Sequence, residues 1–141
     1  MSAPPSTRVV ARRVFAALRA HDLDRFRTLL DPDATLTNPL SGTVLRGTEA
    51  IIDRIEPLLA AFPDLTPTVK TLIVDDDRAA AEVIRTGTHT EPLVLSGETI
   101  PPTGEEVELP ECVLLRVEDE SVVALTTYTD RRALTKQLGL A

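Results

Sequence analysis

Six side chains of this sequence have the type and spacing to act on a small molecule: Asn38, Glu82, His89, Thr126, Tyr128 and Asp130. Along an extended segment, alternation puts Thr126, Tyr128 and Asp130 on one face. Asp130 is a carboxylate that could accept a proton, and desolvation would raise its proton affinity. Tyr128 beside it could donate a hydrogen bond to a substrate oxygen and stabilise an enolate. The competing reading makes Asp130 the N-cap of a helix that begins at Arg131, and Tyr128 a packed ring with a locally satisfied hydroxyl. Glu82 stands among Ala79, Ala80, Ala81, Val83 and Ile84. Facing inward, it would form a like-charge pair with Asp130 in which one partner keeps its proton; facing outward, it would pair with a cross-strand base. His89, at a strand end, titrates near neutrality and suits proton transfer or a place on the rim. Asn38 precedes Pro39 and either hydrogen-bonds a carbonyl or forms an Asx turn. His21 reads as structural, and Cys112 as a buried thiol and not a nucleophile.

These residues need a scaffold, and the composition bounds it. A chain of 141 residues, 43% hydrophobic and 26% charged, fits one domain with a core and a small pocket. The expected division is a flexible tail at 1–7 and a domain at 8–141. Fifteen Lys and Arg against 22 Asp and Glu give a net charge of -7, which repels phosphate backbones and anionic lipid. Neither nucleic acid nor a membrane is an expected partner, and no stretch approaches the roughly 20 apolar residues that span a bilayer. A cytoplasmic protein is expected. One cysteine and two histidines offer no disulfide and no zinc-site spacing, and no glycine-rich phosphate loop is present, so no metal or organic cofactor is expected.

Helical spacing of Val10, Val14, Ala17 and Leu18 marks a first helix. Asp22 caps a second that carries Leu23, Phe26, Leu29 and Leu30. Ala34 to Thr37 is extended, and a third helix opens at Gly47-Thr48, with Pro57 expected to kink or split it. From Leu65 the period becomes two. Strands are predicted over Thr66 to Val74, Arg78 to Thr90, Glu105 to Val117 and Val122 to Thr129, with a loop through Gly97 and Gly104 and a terminal helix from Arg131 to Leu138. Helices first and hairpin-linked strands afterwards argue an α+β fold with an antiparallel sheet.

Several of these segments resemble SnoaL-like proteins, the polyketide-cyclase-like branch of the nuclear-transport-factor-2-like fold. They are the run Val9 to Pro39 (VVARRVFAALRAHDLDRFRTLLDPDATLTNP), Gly47-Thr48-Glu49-Ala50-Ile51, Phe62-Pro63-Asp64-Leu65, Thr86 to Thr90, Pro101 to Gly104, Tyr128-Thr129-Asp130 and Lys136 to Gly139. The resemblance implies a cone: three N-terminal helices against a curved antiparallel sheet, a short C-terminal helix, and a cavity between. It implies cofactor-free acid/base chemistry on a carbonyl compound, with intramolecular aldol cyclisation the foremost type. It also places Asp130 as the acid/base aspartate at the narrowing end of the cavity. The expected ligand is small and hydrophobic or carbonyl-containing.

Other activities on this fold fit less well. Aligned on the ketosteroid isomerase pattern, Val14, Asn38 and Val113 stand where that family has its tyrosine donor, its base and its protonated aspartate. The epoxide hydrolase pattern would use Arg85 and Asp130, but Gly87 falls where a second acid is needed, leaving only Glu82. A non-catalytic binding module is the competing class, because aromatic residues are few and Thr126 stands where many relatives carry tryptophan. Apolar residues on both faces of the long strands also lead us to expect a homodimer through the outer face of the sheet.

Overall fold

The computed structural model describes residues 6–95 and 97–140. Helix α1 (Thr7–Arg19) starts where Ser6 accepts a hydrogen bond from the Val9 amide, 3.3 Å. Ser6 and Thr7 therefore belong to the folded part, and the rest of the expected tail, residues 1–5, lies outside the described residues. One face of α1 buries Val10, Ala11, Val14, Phe15 and Ala17, as its helical apolar spacing requires. The turn to α2 (Leu23–Leu29) puts His21 at φ 55°, and Asp22 caps α2 by accepting from the Arg25 amide at 3.0 Å. The His21 ring then reaches the Leu65 carbonyl, Nε2 to O 2.6 Å, and ties the helical hairpin to the sheet.

Strand β1 (Leu30–Asn38) follows α2 directly and pairs with β2 (Thr43–Arg46), a short strand not foreseen in the sequence. Helix α3 (Thr48–Ala61) runs unbroken through Pro57, so the expected split does not occur. Proline removes one backbone donor, and Asp53, the residue whose carbonyl loses that partner, is exposed. The long strands β3 (Thr66–Asp75) and β4 (Arg78–Thr88) come next. In the segment read as a loop, a small separate hairpin forms from β5 (Leu93–Leu95) and β6 (Glu98–Ile100). Strands β7 (Glu106–Glu118) and β8 (Ser121–Tyr128) and the short helix α4 (Arg131–Gln137) complete the chain.

The main sheet has six strands in the order β2-β1-β8-β7-β4-β3. It is antiparallel except between β1 and β8, which pair in parallel. The helices-first order made the antiparallel pairings legible, whereas the β1·β8 contact joins segments about ninety residues apart with no turn between them to mark it. Beyond the end of β8, the exposed edge of β7 is finished by α4. Gln137 accepts from the Glu108 amide at 2.7 Å and donates to its carbonyl at 2.9 Å, in place of a neighbouring strand.

Two apolar clusters fill the interior. One joins α1, α2 and α3 to the inner sheet face through Val14, Phe26, Ile51, Ile52, Leu115 and Val122. The other, around Phe62, Leu65, Leu93, Leu109, Leu134 and Leu138, holds the β5–β6 hairpin and α4 against the far end. Phe26 and Phe62 are almost wholly buried, and each contributes roughly 1.5–3 kcal/mol by leaving water.

Candidate functional site

A cavity of about 380 Å³, of the size that takes small molecules, is walled by members of both clusters. Val14, Leu36, Ile55, Leu58 and Val113 give it a largely aliphatic lining. Into this lining project Arg85 and Glu111. On β4 the inward residues are Ala79, Ala81 and Val83, and Arg85 continues that series. On β7 the inward series is Val107, Leu109, Glu111, Val113, Leu115 and Val117. Antiparallel pairing sets Val83 opposite Glu111 and Arg85 opposite Leu109, so the two charges are diagonal neighbours on one face.

The guanidinium and carboxylate approach to 3.6 Å, with side chains only 19% and 12% exposed. That spacing is an ion pair without a hydrogen bond. Burial pushes the Glu111 carboxyl above its ordinary value, and the Arg85 charge only partly opposes this. The Arg85 Nε–H is buried without a partner, and a buried donor left so is costly unless something accepts from it. The arrangement offers a carboxyl of raised proton affinity beside a guanidinium in an apolar chamber. Those are the parts needed to take up a proton and to hold a negative oxygen.

The residues singled out in the sequence divide. Asn38 lines the cavity, but its side chain is already engaged: it donates to Thr129 Oγ1 at 2.9 Å and accepts from the Leu40 amide at 3.0 Å. Asp130 also borders the cavity, yet it is exposed and caps α4, its Oδ1 accepting from the Arg132 amide at 2.9 Å. The desolvated setting expected for Asp130 is absent, because β8 ends at Tyr128 and the chain there turns into the helix.

Thr126 and Tyr128 point to the outer face of the sheet; Leu125 and Thr127 take the inner one. A register shift between Arg116 and Val117, opposite Val122 to Ala124, changes the phase of alternation along β8. Glu82 is likewise on the outer face, beside the Thr71 hydroxyl at 3.4 Å, so it makes no pair with Asp130. The phase of β4 is set by Ala79, Ala81 and Val83 packing inward.

His89 is fully buried but does not line the cavity. Its ring stacks on Phe62, and its Nδ1 lies 2.9 Å from the Thr103 hydroxyl and accepts from the Thr103 amide at 3.2 Å, anchoring the loop before β7. Cys112, expected to be buried, is exposed on the outer face between Glu82 and Tyr128. Arg85 stood out in the sequence only against the epoxide hydrolase pattern, and Glu111 not at all. The available signal was a charge at an inward position of two otherwise apolar alternations.

Helices packed on one side of a curved six-stranded sheet, with a cavity between them, define a cone-shaped α+β fold of the nuclear-transport-factor-2-like class. Residues 11–125 match the SnoaL-like domain, and the chain belongs to that family. It is similar to AclR, a hydroxylase candidate from Streptomyces galilaeus, with 26% identity, 94% of this chain and 95% of that one covered, and a TM-score of 0.81. It is also similar to wild-type IdmH, a polyketide cyclase candidate from Streptomyces antibioticus, with 28% identity, 95% and 99% covered, and a TM-score of 0.78. A SnoaL-like polyketide cyclase candidate from Jannaschia sp. CCS1, 23% identical over 100% and 98% of the two chains, superposes with a TM-score of 0.83. No curated protein matches the sequence. Among the described residues, no helix is long and apolar enough to cross a membrane, and no group of three or more His, Cys, Asp or Glu could hold a metal ion.

Proposed function

We propose that this protein is a small-molecule enzyme that performs cofactor-free acid/base chemistry on a carbonyl compound, with Glu111 and Arg85 at the reacting end of the cavity. The observation that carries the reading is a carboxyl with a raised pKa 3.6 Å from a guanidinium, the two residues lining an aliphatic chamber. In the reaction, the Glu111 carboxylate takes a proton from the carbon alpha to the substrate carbonyl. The oxygen of the resulting enolate accepts from the Arg85 guanidinium. The enolate carbon then bonds to a second carbonyl carbon of the same molecule, and the new alkoxide takes the proton back from Glu111. Atoms and charge balance without an oxidant or metal, and the product is the aldol of an intramolecular ring closure. The polyketide cyclase names borne by similar structures support this reaction type. Asp130, at the mouth, retains a place on the substrate path and a structural role as the cap of α4.

Hydrogen exchange tests the carbon-acid step. β-Tetralone incubated with the protein in deuterium oxide should exchange its alpha protons faster than buffer allows. Glu111→Gln should abolish the acceleration, and Asp130→Asn should keep most of it. Exchange unaffected by Glu111→Gln would remove the proposal.

A second reading, a non-catalytic binding module, draws on the mainly aliphatic walls and the exposure of Asp130. It predicts that β-tetralone binds without any accelerated exchange. For either function we propose a homodimer through the outer sheet face, where Ile73 is 63%, Tyr128 40% and Leu114 38% exposed.

A further inference from the structure

The charges that line the cavity run against those of the chain. The whole sequence has 15 Lys and Arg against 22 Asp and Glu, but the lining has Arg54, Arg85 and Arg131 against Glu111 and Asp130. Of these, Arg85 and Glu111 face each other, and Asp130 turns one oxygen to the Arg132 amide. Arg54 and Arg131 take part in no ion pair among the described residues. Both are exposed, on two different helices. Arg54 lies beside Ile55 and four residues before Leu58 on α3, and Arg131 lies three residues before Leu134 on α4; all three apolar neighbours are cavity walls. Each arginine therefore borders both the apolar cavity and solvent.

Helix stability does not account for Arg131. It occupies the first turn of α4, where a cation is disfavoured by the helix's own field and the only acidic group is the cap, Asp130, which already accepts from the Arg132 amide. A low-dielectric cleft edged by cations concentrates anions even on a protein of opposite net charge.

We infer that the molecule this cavity takes is an apolar carboxylic acid. Its body fills the aliphatic chamber, and its carboxylate is held at the mouth by Arg54 and Arg131. The inference rests on the proposed reading of the cavity as a ligand site, but not on any proton transfer by Glu111. A monoanion suits the site better than a phosphate monoester, because the net charge of -7 opposes a dianion more strongly.

The test compares β-naphthoic acid with its amide, two ligands of one shape that differ in charge, by calorimetric titration at low salt. The wild type should bind the acid roughly three- to tenfold more tightly than the amide, the range expected of two solvent-exposed ion pairs. Added salt should shrink the preference, and the Arg54→Gln/Arg131→Gln double variant should lose it. The readout is binding without any turnover, which separates this inference from the catalytic proposal. Equal binding of acid and amide by the wild type would overturn the inference alone, as would a preference that survives in the double variant. Binding of neither ligand would overturn it together with the cavity reading.

Discussion

Replacing Arg85 and Glu111 singly and together measures what the pair contributes to the fold and what it contributes to the site. At the observed 3.6 Å, an effective dielectric constant of about 20 gives a gross attraction of about 5 kcal/mol. Against this stands a desolvation penalty of several kcal/mol for each ion, eased by the remaining exposure of 19% and 12%. No hydrogen bond between the two reinforces the attraction at that distance. The two contributions come close to cancelling. Removing one partner strands the other charge: Glu111→Leu or Arg85→Met should each cost about 2–4 kcal/mol, the lower side of the range for breaking buried pairs because both groups keep some solvent. The double variant should lie within about 1 kcal/mol of wild type or be more stable, since well-packed apolar residues often replace such pairs without loss. Urea denaturation monitored by circular dichroism gives all four corners of the cycle. β-Tetralone exchange measured on the same samples should be lost in every variant. Additive losses of stability would show that the charges do not interact, and exchange retained by the double variant would refute the functional role.

Other consequences are open to direct measurement. Because the Glu111 carboxyl is raised, the folded state holds its proton over a window in which the unfolded chain, titrating near pH 4.3, has released it. The stability of wild type relative to Glu111→Gln should be greatest below that window and fall as pH rises through the raised value, while exchange activity rises over the same range. Parallel urea and exchange profiles check the opposed signs. Gly87→Ala should destabilise by about 1–3 kcal/mol, because a Cβ there would come within 3.2 Å of Leu65 Cα and of Asp64 Oδ1; a melting curve unchanged from wild type would contradict the close packing. Asp64 accepts from the Thr88 amide at 2.7 Å, and that bond holds its carboxyl below the usual range. Its contribution to stability should be present above the unfolded value and be lost as pH falls through the folded one, so Asp64→Asn should narrow its gap to wild type only in acid. Leu114→Arg, on the outer sheet face, should convert a dimer into a 15.3 kDa species in light scattering; a wild type that already scatters as that species would remove the dimer.

Local chemistry determined most of the elements. Apolar residues at helical spacing placed α1, α2 and α3, and period-two segments with acidic turns placed β3, β4, β7 and β8 to within one or two residues. The capping role of Asp130 was legible for the same reason, since an aspartate before a helical run satisfies an amide next to it in sequence. Short strands escaped notice: β2, β5 and β6 have three or four residues each, too few for periodicity to show, and they exist because a partner strand completes their hydrogen bonds. The direction each side chain faces was a tertiary matter. The segment Val122 to Leu125 is apolar throughout, so its alternation had no phase until the register shift against β7 turned Leu125 and Thr127 inward and Thr126 and Tyr128 out. Arg85 and Glu111 are separated by 26 positions in the chain. They meet only because the β4·β7 register sets Val83 opposite Glu111, and their unusual state arises from burial, a property of the assembled walls that neither residue has alone.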